Sequence, residues 1–254
     1  MGKQMGRRKG LDITGVLLLD KPVDLSSNHA LQRARRAMDA KKAGHTGTLD
    51  PFATGLLVCC FGKATKICGP MLNVDKKYIA TLQLGSETDS GDLTGAVVQE
   101  AAGFTGITAE QLNKVLPDFL GEIQQIPPMY SALKRDGRPL YEYARQGIEL
   151  EREPRTITIY EINVLRVQPE MVELEVFCSK GTYIRTLAQD IGRALGCFAH
   201  LIALRRTAVG PFTIDDAIDL ASLQSMESPV DTLRALDELP DGLVPLKLLQ
   251  KEIL

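Results

Sequence analysis

The chain has 254 residues, 44% hydrophobic and 24% charged, with a formal net charge of −2. That is enough apolar content for one large folded domain, or one domain with an appendage. No stretch approaches the roughly 18 uninterrupted apolar residues of a membrane helix, and the basic N-terminus MGKQMGRRKG lacks the apolar run of a secretory leader, so a soluble cytoplasmic protein is expected. The small net charge hides a gradient: residues 1–45 hold ten Lys/Arg against four Asp/Glu, and residues 215–254 hold three against nine. The basic end is the one suited to a polyanion, and the near-neutral total argues against indiscriminate coating of DNA and for shape-selective RNA contact.

In chain order, residues 1–12 read as a mobile basic arm, followed by an apolar run, Val16 to Leu19, that reads as a buried strand ending at Lys21-Pro22. Ser26-Ser27-Asn28 supplies a helix start, and a helix through Met38 puts Leu31, Ala34 and Met38 on one face with Arg33, Arg35 and Arg36 elsewhere. The next stretch, Gly44-His45-Thr46-Gly47-Thr48-Leu49-Asp50-Pro51, combines a carboxylate, an imidazole and conformationally special residues. Gly44 and Gly47 relax the backbone and Pro51 stiffens it just after Asp50, so the carboxylate sits on a defined loop. The same residues also suit an ordinary polar turn with Asp50 as the N-cap of a following helix.

Gly55 to Phe61 is apolar, Thr65 to Leu72 reads as helical, and Tyr78, Ala80, Leu82 and Leu84 alternate with polar residues as a half-exposed strand. The acidic loop Gly85 to Gly95 lacks calcium-loop spacing and reads as a polar turn. Residues 122–152 interleave Tyr130, Tyr141 and Tyr143 with Lys134, Arg135, Arg138 and Arg145, a pattern suited to stacking on bases and contacting phosphates, and equally to a surface hairpin with inward tyrosines. Strands follow at Thr156 to Val167 and Val172 to Cys178, a helix at about Thr182 to Leu195, and a strand at Leu201 to Arg206. From Asp215 the chain is acidic and reads as mostly helical, including Leu246-Lys247-Leu248-Leu249. The order of elements indicates an α+β fold with a mixed, mainly antiparallel sheet flanked by helices. Five cysteines without a CxxC pair, and only three histidines, make reduced core thiols the expectation and a metal site a poor one; adjacent Cys59 and Cys60 point to opposite faces of a strand.

The run from Gly44 to Leu57, GHTGTLDPFATGLL, resembles the catalytic loop of the tRNA pseudouridine synthase B family, and four further blocks match that family in order. They are Gly15 to Pro22, Lys77 to Ala80, Ser179 to Thr186 (SKGTYIRT) and Leu204-Arg205-Arg206. The resemblance covers roughly the first 240 residues and implies isomerisation of uridine to pseudouridine at position 55 in the T loop of tRNA, without a cofactor or a metal. It implies Asp50 as the catalytic carboxylate and Arg185 as its ion partner. Tyr78 would be the aromatic face against uracil and a possible base, Tyr183 and Leu204 pocket walls, and His45 the wedge that fills the gap left by a flipped base. Lys21 and Pro22 are assigned to scaffolding. It divides the chain into the arm 1–12, a catalytic domain 13–214 with the RNA-binding insertion 122–152, and the C-terminal segment 215–254. Members usually continue into a small β-rich RNA-binding domain called PUA; only Asp241 to Leu254 lie past the matching region, too few for a complete one. The expected partner is the T arm of tRNA, the expected state a monomer.

Two other readings use the same residues. A non-catalytic RNA-binding or RNA-folding module would keep the pocket and the insertion without turnover. A nucleoside hydrolase built on Asp50 would need a group to activate water, and no second carboxylate lies in the matched blocks.

Overall fold

The computed structural model describes residues 10–240 and 242–245, and within them two compact units. One holds the chain up to Val74 and again from Arg206; the other holds Asp75–Arg205. Of the basic arm, residues 1–9 lie outside the described residues, as does the helix expected at 246–249. Leu11 is tied down, its amide donating to Asp39 O and its carbonyl accepting from Lys41 N.

The first unit opens with strand β1 (Gly15–Lys21), helix α1 (Ser27–Ala37), β2 (Ala43–His45) and β3 (Thr54–Phe61). A 3-10 turn over Gly62–Ile67 then runs into the short helix α2 (Cys68–Met71), so the helical segment expected from Thr65 starts earlier and more tightly wound. The α1 helix starts where its sequence indicates: Ser26 Oγ accepts from His29 N at 3.2 Å, satisfying one of the orphan amides of the first turn.

The second unit contains β4 (Lys76–Leu84), β5 (Ser86–Thr88), β6 (Val97–Glu100), α3 (Ala109–Val115), β7 (Gly121–Gln125), β8 (Lys134–Arg135), β9 (Arg138–Pro139) and α4 (Leu140–Ala144). It continues with β10 (Arg155–Gln168), β11 (Met171–Cys178), α5 (Ile184–Ala194) and β12 (Ala199–Val209), whose residues from Arg206 count with the first unit. The chain ends with β13 (Phe212–Thr213), β14 (Ile218–Asp219) and α6 (Leu220–Ser225).

In the first unit β1 pairs antiparallel with β3 along its whole length, from Gly15 opposite Phe61 to Lys21 opposite Gly55, and parallel with β14. The pleat sends alternate side chains to opposite faces. Val16, Leu18, Leu56, Val58 and Cys60 join one apolar cluster with Ile67, Met71 and Phe212. Leu17, Leu19, Leu57, Cys59 and Phe61 join another with Ala30, Leu31 and Ala34 of α1 and Leu220 and Leu223 of α6. Cys59 and Cys60 therefore face opposite ways as expected, and all five cysteines are free thiols.

In the second unit the strand order is β12, β4, β11, β10, β7. The register sets Tyr78 opposite Val176, Ala80 opposite Leu174 and Leu82 opposite Val172, matching buried residue to buried residue, and α5 packs on β4. Residues 122–125 at the start of the insertion belong to β7, which pairs with β10 from Arg155 to Ile159. These elements make the α+β, mainly antiparallel architecture anticipated from the sequence.

The C-terminal segment departs from its reading as mostly helical. Between Ile214 and Leu239 only α6 is α-helical; the rest is three single-turn 3-10 pieces and β14. Pro229 and Pro240 interrupt any longer helix, and the segment is held by side chains inserted singly, Leu236 and Leu239 into the Val16 cluster, and by paired main-chain bonds of 2.9 Å between Val16 and Arg234. No helix among the described residues is long and apolar enough to cross a membrane.

Leu57 is fully buried between α1 and α6. Leu57→Ala is expected to cost about 2–5 kcal/mol of folding free energy, read as the change in urea midpoint at constant m-value.

Candidate active site

Asp50 lies half-buried on a loop between β2 and β3, and no helix follows it: the N-cap reading is replaced by a turn, with Ala53 N donating to Asp50 O at 3.1 Å, and then by β3. Strand pairing sets both ends of the loop. Gly44 and His45 face Cys60 and Cys59 across β2 and β3, and Thr46 N donates to Val58 O at 3.1 Å. The apolar neighbours of Asp50, Leu49, Phe52 and Ala53, are buried and pin the loop from within.

Its carbonyls cannot join a ladder, and three buried side chains serve its main chain instead. Ser27, in the first turn of α1, accepts from Leu49 N at 2.7 Å and donates to Leu49 O at 3.1 Å. Lys21, at the end of β1 and fully buried, donates Nζ–H to Pro22 O at 2.8 Å, Leu25 O at 2.6 Å and Pro51 O at 3.3 Å. Arg206 on β12 donates through Nε to Leu56 O at 2.8 Å and through its two terminal nitrogens to Thr48 O at 3.4 Å and Gly47 O at 3.2 Å. Gly55, at φ +102°, lies so close to β12 that a Cβ there would come within 2.3 Å of Arg206 O.

The charges follow from this packing. Burial pulls the Lys21 ammonium down to about 8, a shift opposed by attraction to Asp50 and reinforced by repulsion from Arg206. His45 is also held below its ordinary value, first by burial and then by the Arg206 charge, and its Nδ1 accepts from Gly47 N at 3.4 Å, which assigns the neutral ring with its proton on Nε2.

The second unit carries the other expected residues. Tyr78 is buried near the start of β4 and Leu204 is buried on the neighbouring β12. Tyr183 stands at the N-cap of α5, where Gln125 clamps its main chain, accepting from Tyr183 N at 2.8 Å and donating to Tyr183 O at 3.1 Å. Arg185, buried in the first turn of α5, donates to Ser90 O at 2.8 Å and Tyr130 O at 2.6 Å, and its Nε lies 3.7 Å from Asp92 Oδ2. Asp92 is in turn oriented by Ser90 Oγ at 2.9 Å and by Thr94 N and Oγ1 at 2.9 and 2.6 Å. The acidic loop is thus a polar turn that presents a carboxylate to Arg185. On the insertion, Arg138 stacks over Tyr143 at 4.6 Å and Arg145 over Tyr141 at 5.3 Å, while Lys134 and Arg135 are exposed at the hairpin.

His45 and Asp50 therefore share one loop in the first unit. Tyr183 and Arg185 share the start of one helix in the second, with Tyr78 and Leu204 on adjoining strands. Ser27, Asp92, Gln125 and Arg206 carry weight that sequence reasoning missed. Asp92 lies in the acidic loop read as a polar turn, and Arg206 lies in the last matched block and continues the buried alternation of Leu204 on β12, where a charge is out of place.

Residues 35–184 match the family model described as TruB family pseudouridylate synthase (N terminal domain), and residues 185–247 match the tRNA pseudouridylate synthase B C-terminal domain. A protein of Bordetella avium named tRNA pseudouridine synthase B is 66% identical over 95% of this chain and 99% of its own length; one of Dechloromonas aromatica with the same name is 55% identical over 92% of this chain and 80% of its own. Among solved structures, a chain of a Cbf5-Nop10-Gar1 complex superposes with a TM-score of 0.69 at 30% identity over 88% of this chain, which spans 60% of the length of that one.

A protonated Lys21 is stabilised less in the folded protein than in the unfolded chain, so it opposes folding below about pH 8 and ceases to do so as pH rises towards 10.5. Between those values wild-type stability is expected to rise relative to Lys21→Met, seen as a difference in urea midpoints that moves steadily in favour of wild type across a pH series. Its family matches over most of its length, together with the Asp50 loop, establish that the chain belongs to the TruB family of pseudouridylate synthases and is an isomerase.

Proposed function

We propose that the chain converts uridine to pseudouridine at position 55 in the T loop of tRNA, with Asp50 as the carboxylate at the reacting sugar. The observation that carries this reading is the Asp50 loop itself, whose main chain is gripped by Lys21, Ser27 and Arg206, in a protein whose close relatives are named for tRNA pseudouridine synthesis. A carboxylate held this firmly is suited to act at one atom.

In the reaction the bond from uracil N1 to the sugar C1′ breaks, the base turns, and C1′ bonds to C5. The C5 proton leaves to solvent and N1 gains one, so the product is an isomer and no electrons are exchanged. Asp50 supplies the negative charge that the electron-poor C1′ requires once N1 departs. Tyr78 offers its ring to the uracil face, and Tyr183 and Leu204 wall the pocket and keep water from the cleaved sugar. Arg185 is the proposed cation for the Asp50 carboxylate, and within its own unit its bonds to Ser90 O and Tyr130 O leave it little freedom.

The target base must leave its stack to be reached, at a cost of a few kcal/mol. His45 is the group proposed to fill the vacated space. Its neutral ring stacks without first losing the hydration of a charge. The exposed Lys134 and Arg135 hairpin is proposed to grip the phosphates of the T arm, and a cytoplasmic setting agrees with that substrate.

Asp50→Asn keeps size and hydrogen bonding and removes the charge. Its release of tritium from tRNA labelled at uridine C5 is expected to fall by on the order of 10³-fold or more, with the tRNA Kd changed by less than about threefold. Turnover retained by the Asn protein would remove Asp50 from the chemistry, and tight binding by wild type with no release would favour a non-catalytic RNA-binding module.

A further inference from the structure

We infer that Arg206 is a positioning residue for Asp50, one buried guanidinium that sets the path of the main chain on both sides of the carboxylate. The role presupposes that Asp50 acts in the reaction as proposed above.

The bonds of Arg206 have an unusual pattern. Its side chain donates to the carbonyls of Gly47 and Thr48, three and two residues before Asp50, and to Leu56, six residues after it. A planar fork with five N–H groups in fixed directions reaches several carbonyls at once, which a lysine ammonium at the end of a flexible stem cannot reproduce. The root of the side chain is equally constrained. Gly55 lies against Arg206's own backbone, closely enough that a Cβ would meet Arg206 O at 2.3 Å and Arg206 N at 2.7 Å.

The three bonds serve both stability and position. Arg206 is 2% exposed, and desolvating a guanidinium is costly, a cost that its bonds to the carbonyls of Gly47, Thr48 and Leu56 offset. What an apolar residue could not do is hold Gly47, Thr48 and Leu56 in one register. Lys21 braces the same loop independently at Pro51 O, so the carboxylate lies between two grips that do not share a partner. Arg206 also reaches His45 electrostatically, and through Gly47 it holds the residue whose amide donates to the His45 ring.

Arg206→Met and Arg206→Lys test this by single-turnover rate, tRNA Kd, thermal midpoint and NMR titration of the histidines, of which there are only three. For the Met variant we expect a rate lower by on the order of 10²-fold with Kd within about threefold, the signature of a displaced reacting group rather than of lost binding. The His45 titration should move upward in the Met variant and stay in place in the Lys variant, which keeps the charge. The Lys variant should nevertheless lose at least about tenfold in rate, because charge without the fork does not restore geometry. A Lys variant at the wild-type rate would overturn the inference, as would a Met variant whose rate loss merely follows loss of folded protein or of binding. If the Met variant does not fold, the Lys variant decides alone. An inert wild type would instead sink the proposed role of Asp50; the His45 titration needs no substrate, and its failure to move in a folded Met variant would still count against Arg206 as the group that holds this loop.

Discussion

A carboxylate needed at one point in space, on a segment that is neither helix nor strand, poses a problem of main-chain bonding. Each buried carbonyl of such a loop needs a donor, and the neighbouring strands have spent theirs on each other. Here the donors come from side chains. Lys21 serves Pro51 O, Arg206 serves Gly47, Thr48 and Leu56, and Ser27 serves both groups of Leu49. Most of what distinguishes the first unit follows from this: a lysine buried at the end of β1, a glycine pressed against β12, and a serine in the first turn of α1 that faces inward although its neighbour Ser26 already caps the helix.

The same device recurs in the second unit with different chemistry. Gln125, at the end of β7, uses its amide to close both main-chain groups of Tyr183, and so sets where α5 begins. Arg185, two residues further on, reaches the acidic loop through Ser90 O and Asp92 and the insertion through Tyr130 O. One arginine thereby ties the helix start to two irregular segments. Loops are ordinarily the mobile part of a fold, and those bearing the expected site residues are instead held by charged or amide side chains on regular elements.

The sequence made the regular elements legible because their hydrophobic period is simple. Val16 to Leu19, the α1 face of Leu31 and Ala34, and the alternation of Tyr78, Ala80, Leu82 and Leu84 all bury as their spacing requires. The opposite facing of Cys59 and Cys60 followed from the pleat alone. The C-terminal segment up to Leu239 is hard to read because its acidic composition and scattered leucines resemble a helix surface, whereas Pro229, Pro240 and the long-range contacts of Leu236 and Leu239 decide its course. The supports of the site were harder to read for a different reason. Ser27, Gln125 and Asp92 act on residues 22, 58 and 93 positions away, and nothing local in sequence marks a polar side chain that will turn inward to meet a distant backbone. Motif resemblance found the residues expected to touch substrate and put Lys21 in the scaffold, but gave no role to Ser27, Asp92, Gln125 or Arg206.

The central claim is that this chain rearranges a single uridine in the T loop without releasing the base. Incubating the protein with an unmodified tRNA transcript, labelling pseudouridine with a carbodiimide and mapping reverse-transcription stops tests it most directly. The account predicts one new stop, one nucleotide 3′ of position 55, with strand length intact and no free uracil. Free uracil with an abasic site would mean hydrolysis instead of isomerisation, and stops at many uridines or at none would contradict the claim outright.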